Sequence, residues 1–283
     1  MDYSVQNEIL GMTEVVMDSG SLCQDELDRY SRSITLPQIG LEGQTKLKKS
    51  RVAVVGTGGL GSPLTMYLAA AGIGTIGLFD SDRVDLSNLQ RQIIHDNSHV
   101  GKFKTDSAQK RIREINPHVN VETYPMRLTC RNSLDYLRDF DMIIGCVDNF
   151  PSRYMINAVC VKLGKPNIYG SIMLFEGQAG VFSMPGGPCY RCFFREPPPG
   201  NWKPAPSESG IIGPLPGIIG CIQANEAIKV ILGIGDPLNN RLLLFDALRM
   251  TFREVKVRKN PECPVCGIMA RQHEMTVEEM MKA

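Results

Sequence analysis

A glycine-rich turn follows the apolar run 52–55 and is the first stretch of the sequence that could do chemistry. Its glycines, and an acid that ends the next apolar run, have the spacing of a dinucleotide fingerprint: Gly56, Gly58, Gly59, Gly61 and Asp80. A strand, such a turn and a helix together point backbone N–H groups at an anion, and the acid accepts hydrogen bonds from ribose hydroxyls. The pattern predicts a nucleotide site and leaves NAD and ATP as alternatives.

Polar side chains that follow the acid favour ATP. They are concentrated in SDRVDLSNLQRQ and GKFK, and the candidates are Asn88, Arg91, Gln92 and Lys104. A dehydrogenase binds a pyrophosphate mostly with backbone groups, whereas a triphosphate whose bonds must break needs cationic side chains and a metal. An NAD-dependent oxidoreductase remains the alternative from another functional class, and it would exchange no pyrophosphate into ATP.

Asp148 is the candidate ligand for that metal. It comes just after the apolar run DMIIGC, at the carboxyl end of a predicted strand, where ligands bind in open α/β sheets. A magnesium ion held there would accompany the triphosphate. An aspartate at this place can instead cap a helix, and a helix is predicted to start near Pro151. Both interpretations stay open on the sequence alone.

Two C-x-x-C pairs, far apart in the chain, predict a structural zinc site formed by Cys189, Cys192, Cys263 and Cys266. Each pair presents two thiolates from one tight turn, and four thiolates close a tetrahedron without a water ligand. A redox centre is disfavoured because two pairs are present and neither opens a helix after a strand. No other ligand set is expected from the histidines, which are His95, His99, His118 and His273.

Alternating segments from Arg51 onward predict the elements that position these residues. Strands separated by helices indicate βαβ units, and hence an α/β, Rossmann-like, mostly parallel sheet with helices on both faces. After a helix over about 217–232, RLLLFDA and TFREVKV predict C-terminal antiparallel strands added to the sheet. A first helix is predicted through LCQDELDRYSRS, with Ser21 as its cap.

Length and composition fit one domain with two appended segments. We expect a flexible N-terminal arm over residues 1–20, a single domain over 21–267 and a C-terminal tail over 268–283. The net charge is +1 and no basic run occurs, which argues against direct contact with nucleic acid or an anionic membrane. Without a basic start, an apolar leader or a run of about eighteen apolar residues, a cytoplasmic location is expected.

Together these motifs resemble one family. GTGGLGS, VDLSNLQRQ after Asp80, the second lysine of VGKFK, CVDN, CYRC and CPVCG match the MoeB/ThiF/HesA adenylyltransferases over residues 22–267. The resemblance implies a ThiF-type adenylation domain that uses ATP to activate the C-terminal glycine carboxylate of a ubiquitin-like sulfur carrier ending in Gly-Gly. Cofactor biosynthesis and tRNA thiolation both use such carriers. An adenylating relative that acts on a peptide or a tRNA-borne carboxylate is the alternative within this fold.

The resemblance also assigns roles to the nucleotide ligands. The glycine turn would bind phosphate, and Asp80 would hold the ribose. Arg91 and Lys104 would bind the triphosphate and stabilise the charge that develops at the α-phosphate. Asn88 and Gln92 would assist them.

Two further implied roles concern the metal and the partner chain. Asp148 would carry magnesium. Arg32, in DRYSRSITLPQIG, would reach across a homodimer into the nucleotide site of the partner, although an exposed arginine on a short helix is ordinarily only solvated. The sequence shows no rhodanese-like segment, so the sulfur is expected from an external sulfur donor.

The proline-rich segment EPPPGNWKPAPSESG departs from the family's pattern. Many relatives carry a cysteine shortly before the stretch that reads GIIGP here, and in some it becomes linked to the activated carrier; Pro206 stands at that place. Ser207 and Ser209 have no neighbouring base in sequence to activate a hydroxyl. We therefore hypothesise that the acyl-adenylate passes directly to the sulfur donor.

Overall fold

Strands and helices alternate along most of the chain. The computed structural model describes residues 21–196, 210–268, 270 and 274–282. Within them the strands are β1 (Arg51–Val55), β2 (Thr75–Phe79), β3 (Asn120–Tyr124), β4 (Met142–Gly145), β5 (Asn167–Met173), β6 (Glu176–Phe182), β7 (Arg241–Asp246) and β8 (Thr251–Lys256). The α-helices there are α1 (Gln24–Arg29), α2 (Ser31–Ile34), α3 (Gly40–Lys49), α4 (Gly61–Ala70), α5 (Lys104–Ile115), α6 (Ser133–Leu137), α7 (Phe150–Leu163), α8 (Tyr190–Phe193), α9 (Pro214–Leu232) and α10 (Val277–Lys282).

These strands form one sheet in the order β3-β2-β1-β4-β5-β6-β7-β8. β1 pairs in parallel with both β2 and β4, and β3 and β5 extend the parallel part on either side. The chain therefore changes its direction of growth at β1. In open α/β sheets, ligands bind beyond the carboxyl ends of the strands at such a switch point.

From β5 to β8 the strands are antiparallel and follow one another in sequence. The register of β7 and β8 pairs Asp246 with Thr251, so the turn between them is short, as expected for the segment DALRM. The predicted fold class, a mostly parallel sheet extended by C-terminal antiparallel strands, is confirmed.

Side chains of β1 alternate between two cores, one on each face of the sheet. Val52 and Val54 join a cluster with α4, α5 and α9, whereas Ala53 and Val55 join a cluster with α6 and α7. A strand buried on both faces has a continuous apolar sequence, which explains the run VAVV. The loop after β1 is thereby fixed between two packed layers.

Helix α9 begins earlier than the predicted start near Gly217. Pro214 and Pro216 fit in its first turn, where a backbone N–H has no acceptor within the helix. Among the described helices, α9 alone is long and apolar enough to span a membrane, and half of its most apolar stretch is buried. It packs against α4, β5 and β6, as a core helix of the domain.

The ends of the described chain pack onto the domain. The prediction that Ser21 caps α1 is wrong, because Cys23 is the cap and its N–H donates to Glu26 Oε2 at 2.9 Å. At the other end, α10 packs against α7 and buries Val277 and Met280. The predicted arm 1–20 lies outside the described residues, and the domain boundaries remain predictions.

Candidate functional site

A cleft of about 850 Å³ opens at the carboxyl ends of β1, β2 and β4. The lining residues that were singled out from the sequence are Gly56, Gly58, Gly59, Asp80, Arg91, Gln92, Lys104 and Asp148. They meet because parallel strands end at the same edge of the sheet. The volume falls within the range of small-molecule sites in proteins, roughly 300–1,000 Å³.

The glycines of the turn have different reasons to be glycine. Gly56 has φ +98°, and a Cβ there would lie 2.6 Å from the carbonyl oxygen of Cys146; a Cβ on Gly61 would lie 2.2 Å from the carbonyl oxygen of Gly56. These two positions therefore exclude any side chain. A Cβ on Gly58 would meet nothing closer than Gln92 Nε2 at 3.5 Å. At Gly58, the neighbouring atoms leave room for a Cβ, so the packing of the turn does not by itself require glycine there.

Asp80 is engaged with the backbone around the turn. Its Oδ2 accepts hydrogen bonds from Thr57 N at 2.8 Å and Thr57 Oγ1 at 3.0 Å, and its Oδ1 accepts one from Asp82 N at 2.9 Å. The sequence analysis placed Asp80 at the ribose and missed this second role. The carboxylate holds the turn in shape and still lines the cleft.

Lys104 is the first residue of α5 and is buried beside the cleft, with 7% of its surface exposed. Its Nζ lies 2.9 Å from Asp82 Oδ2, and the Asp82 side chain is 66% exposed. Asp82 was not among the predicted site residues, although its spacing from Asp80 in FDSD was an available signal. Lys104 thus has a solvent-exposed counter-ion within the cleft.

The other polar candidates differ in their placement. Arg91 lines the cleft, and its Nη1 donates to the carbonyl oxygen of Ser87 at 3.0 Å. Gln92 is buried, and its Oε1 has no hydrogen-bond partner among the described residues. Asn88 is outside the cleft lining, and its Oδ1 accepts a hydrogen bond from Asp85 N at 3.2 Å. The structure therefore brings Arg91 and Gln92 to the cleft and leaves Asn88 in the neighbouring turn.

Asp148 lines the cleft at the end of the loop after β4 and is exposed. The alternative that it caps α7 is wrong, because Asn149 is the cap and accepts a hydrogen bond from Ser152 N at 3.0 Å. The Asp148 carboxylate accepts a hydrogen bond from Asn149 Nδ2 at 3.2 Å. Its position suits a carboxylate ligand for a metal ion that accompanies a polyphosphate.

Arg153, on the first turns of α7, is a cleft residue that the sequence analysis missed. Its Nη2 donates to Ser171 Oγ at 2.8 Å, and its guanidinium lies 5.1 Å from the centre of the Phe150 ring. Its Nε is buried and lacks a hydrogen-bond partner among the described residues. The segment DNFPSR contains this arginine, but only the structure shows that it lines the same cleft as Asp148.

His95 is a second missed residue, placed behind the glycine turn. It is buried, with Nε2 3.0 Å from the carbonyl oxygen of Thr57 and Nδ1 2.9 Å from Ser107 Oγ. Burial lowers its pKa to about 4, with a further lowering by the charge of Lys104. The imidazole is therefore neutral at pH 7.

The four cysteines of the two C-x-x-C pairs meet in one buried cluster. The sulfur atoms of Cys189 and Cys263 are 3.7 Å apart, those of Cys192 and Cys266 3.4 Å, and those of Cys189 and Cys192 3.9 Å. A tetrahedron with Zn–S bonds of about 2.3 Å has S–S edges of about 3.8 Å. Contacts with the other three sulfur atoms, together with a hydrogen bond from Asn260 N, hold the pKa of Cys192 well below its usual range. The cluster is compatible with zinc.

A second group of possible metal donors lies at the start of the described chain. Cys23, Glu26 and His118 have donor atoms within 4.8 Å of one another. Glu26 Oε2, however, is 2.6 Å from Lys48 Nζ, and His118 Nε2 is 2.5 Å from Asp25 Oδ2. An ion there would have to displace both partners. We assign these residues to the packing of α1 instead.

Arg32 is exposed on α2 and is not among the residues that line the cleft of its own chain. The crossover segment that contains Pro206, Ser207 and Ser209 lies outside the described residues. The hypothesis of direct transfer to a sulfur donor therefore stays a prediction.

The fold and the cleft define a doubly wound nucleotide-binding domain with cationic side chains suited to a polyphosphate. The ThiF family matches residues 30–265, and the chain belongs to the ThiF family. The resemblance inferred from the sequence motifs is confirmed.

Curated relatives share this domain at high identity. The sulfur carrier protein adenylyltransferase of Thermus thermophilus is 50% identical over 257 residues, which cover 89% of this chain and 95% of that protein. The SAMP-activating enzyme E1 of Haloferax volcanii is 47% identical over 247 residues, covering 87% and 91%. The adenylyltransferase and sulfurtransferase MOCS3-1 of Zea mays is 49% identical over 249 residues, covering 88% of this chain and 53% of that protein. The chain thus spans about half of the maize protein.

Solved structures show the same fold. The crystal structure of E. coli MccB with ATP has a TM-score of 0.74 and 25% identity, covering 84% of this chain and 74% of that one. The crystal structure of PaaA has a TM-score of 0.71 and 27% identity, covering 88% and 79%.

Proposed function

We propose that this protein is an ATP-dependent adenylyltransferase that activates the C-terminal glycine carboxylate of a ubiquitin-like sulfur carrier protein. One observation carries the proposal: a single cleft is lined by the glycine turn, Arg91, Lys104 and Asp148. It is supported by a relative, 50% identical over nearly its whole length, that is a sulfur carrier protein adenylyltransferase. The products would be a carrier acyl-adenylate and pyrophosphate.

The proposed reaction joins two negatively charged groups. A carboxylate oxygen of the carrier attacks the α-phosphorus, and the bond from that phosphorus to the bridging oxygen breaks, so that pyrophosphate leaves with the electron pair. No protein base is needed, because a C-terminal carboxylate is already ionised at neutral pH. What the protein must supply is alignment and positive charge. Lys104, Arg91 and the backbone N–H groups of the glycine turn would supply them.

Asp148 fits the magnesium ion that accompanies ATP. Mg²⁺ prefers one or two carboxylates together with waters and phosphate oxygens, and Asp148 is an exposed carboxylate in the cleft. Bound magnesium would neutralise part of the charge on the phosphates. Asp148 would place it on the cleft wall formed by the loop after β4.

We propose further that the four-cysteine cluster binds a structural zinc ion. Its sulfur spacing fits a zinc tetrahedron, and its four ligands leave no position for water or substrate. The ion would join the segment after β6 to the segment after β8. The sulfur for the activated carrier would then come from an external donor rather than from these cysteines.

We propose a homodimer because the family resemblance gives Arg32 a role in the nucleotide site of a partner chain. It does not line its own cleft, and Leu36 and Leu41, a few residues further along the chain, are exposed large apolar side chains. Burying these against a second copy would remove apolar surface from water. We expect Arg32→Ala and Asp148→Ala homodimers to be inactive, and a random mixture to regain about one quarter of wild-type activity, since half its dimers have one intact site. No recovery in verified mixed dimers contradicts the shared site.

The proposed function is tested by the exchange of labelled pyrophosphate into ATP. Exchange should require magnesium and a carrier that ends in Gly-Gly, because only the reversible adenylation of that carboxylate regenerates ATP. The matched control is the same carrier with an amidated C-terminus, which cannot attack. Exchange with the amidated carrier, or nicotinamide reduction in place of exchange, would refute the proposal.

A further inference from the structure

We infer that His95 is a positioning residue for nucleotide binding, which fixes the glycine turn to the helix that begins with Lys104. The inference rests on the proposed function. His95 lies in the loop before α5, and 6% of its surface is exposed. One ring nitrogen contacts the carbonyl oxygen of Thr57 in the turn, and the other contacts Ser107 in the first turns of α5.

The two contacts determine where the ring carries its proton. A carbonyl oxygen can only accept a hydrogen bond, so Nε2 must donate to Thr57. In a neutral ring Nδ1 is then unprotonated and accepts from the Ser107 hydroxyl. The charged and titratable groups that act on the ring are Lys104, Asp80 and His99, and burial together with Lys104 disfavours the charged ring. The neutral Nε2–H tautomer satisfies both partners.

Thr57 is thereby held at each of its polar groups. Its N–H and hydroxyl donate to Asp80, and its carbonyl oxygen accepts from His95. Thr57 stands between Gly56 and Gly58, which have many accessible conformations when they are not restrained. Fixing Thr57 therefore fixes the N–H groups that face a phosphate. Ordering that is already present in the free protein need not be supplied on binding.

The same ring restrains the position of Lys104. Ser107 is close to Lys104 on α5, and its hydroxyl contacts the ring that also contacts the turn. The turn and the lysine approach the cleft from β1 and α5, which are far apart in sequence. His95 links the two within one side chain. Loss of this link should weaken nucleotide binding without removing any group that touches the nucleotide.

Substitutions that keep one contact at a time test the inference. The amide of His95→Gln reaches the Nε2 position and can donate to Thr57, whereas His95→Asn reaches only the Nδ1 position and His95→Phe makes neither bond. Titration calorimetry with MgATP should give a Kd within about threefold of wild type for Gln. It should give a Kd at least about tenfold weaker for Asn and Phe, because a buried carbonyl loses its donor. His99→Gln, at a buried histidine that pairs with Asp96, is the matched control and should bind normally.

Each outcome decides the inference. A Phe variant within twofold of wild type, or a Gln variant as weak as Phe, overturns it. A role in folding alone would lower the melting temperature and leave the Kd unchanged. Should the Phe variant fail to fold, nitrogen NMR of wild-type His95 at pH 7 replaces it: an Nδ1–H tautomer or a doubly protonated ring overturns the inference. Because MgATP binding needs no carrier, a wild-type protein that binds ATP but exchanges no pyrophosphate would refute the proposed function alone.

Discussion

The nucleotide cleft and the four-cysteine cluster differ in what each must change to receive its ligand. In the cleft the cations already have protein partners, since Lys104 pairs with Asp82 and Arg91 donates to Ser87. In the cluster, sulfur atoms are buried together at the spacing of a zinc tetrahedron. When a triphosphate enters the cleft, Lys104 and Arg91 have to exchange these partners for phosphate oxygens. The cluster would have to lose thiol protons to a bound zinc ion, but its sulfur atoms already have the spacing that zinc requires.

This difference matches the different tasks of a substrate site and a structural metal site. A substrate site must fill and empty in each turnover, and Asp82, the solvent-exposed partner of Lys104, is one that a phosphate could replace. A structural ion stays bound, so its ligands can be buried and fixed. Substitutions in the cleft should therefore change rate more than stability, and substitutions in the cluster should do the reverse.

The largest effect is expected for Lys104→Ala. Removing a buried cation that is proposed to face the developing charge should lower pyrophosphate exchange about 100- to 1,000-fold, with the melting temperature little changed. Lys102→Ala is the matched control, because Lys102 is exposed two positions earlier and does not line the cleft. A Lys104→Ala enzyme that kept more than about a tenth of wild-type exchange would contradict the role of this cation in the transition state.

The opposite behaviour is expected at the cluster for Cys192→Ser. Metal analysis should find about one zinc per chain in the reduced wild-type protein and much less in the variant. The free energy of unfolding should fall by several kcal/mol, while exchange at low temperature changes by less than about threefold. Cys221→Ser, outside the cluster, should keep its zinc. An absence of zinc from the wild-type protein would contradict the assignment of the cluster as a zinc site.

Acid should destabilise the folded protein, because His95 is buried in its neutral form behind the glycine turn. The pKa of His95 falls from 6.5 to about 4 in the folded protein. Between these values the unfolded chain binds a proton that the folded chain does not. Stability should therefore be lost as pH falls through this window, by up to roughly 3 kcal/mol. Denaturant titrations between pH 4 and 7 should show this loss in wild type and a smaller one in His95→Gln. Equal losses in both proteins would contradict it.

The smallest effect is expected for Asp82→Asn. Without its exposed counter-ion, Lys104 no longer has to leave a partner, so the KM for ATP should fall by about two- to fivefold, with kcat little changed. Asp85→Asn, in the next turn, is a control that does not alter Lys104. A large loss of kcat in Asp82→Asn would instead place Asp82 among the magnesium ligands.

Much of the fold and the cleft could be predicted because their signals are local. The strand pattern, the glycine spacing and the two C-x-x-C pairs each lie within short segments, and the sheet order then brings them together. The extension of the sheet by β7 and β8 was also visible as two strand-like segments, RLLLFDA and TFREVKV, around a short turn. The cap of α1 was misplaced by two residues, because serine is a usual cap residue and cysteine is not, whereas Cys23 directly precedes the helix and its N–H finds an acceptor in Glu26.

The residues that were missed depend on contacts across the chain. His95 is defined by Thr57, 38 positions away, and Arg153 by Ser171, 18 positions away. Neither pair has a fixed spacing that a sequence could display. Asn88 shows the converse, since its place in the motif suggested a cleft residue, whereas its side chain caps the turn that carries it. Side-chain partners are set by tertiary packing, which short motifs do not contain.

The most direct test of adenylation follows an isotopic label from ATP to the carrier. With the carrier and magnesium present, ATP labelled at the α-phosphate should transfer its label to the carrier, and ATP labelled at the γ-phosphate should release its label as pyrophosphate. The adduct should be cleaved by hydroxylamine, as expected of an acyl-adenylate. Label on the carrier from γ-labelled ATP, or no α-label on a carrier that binds the enzyme, would contradict adenylation by this cleft.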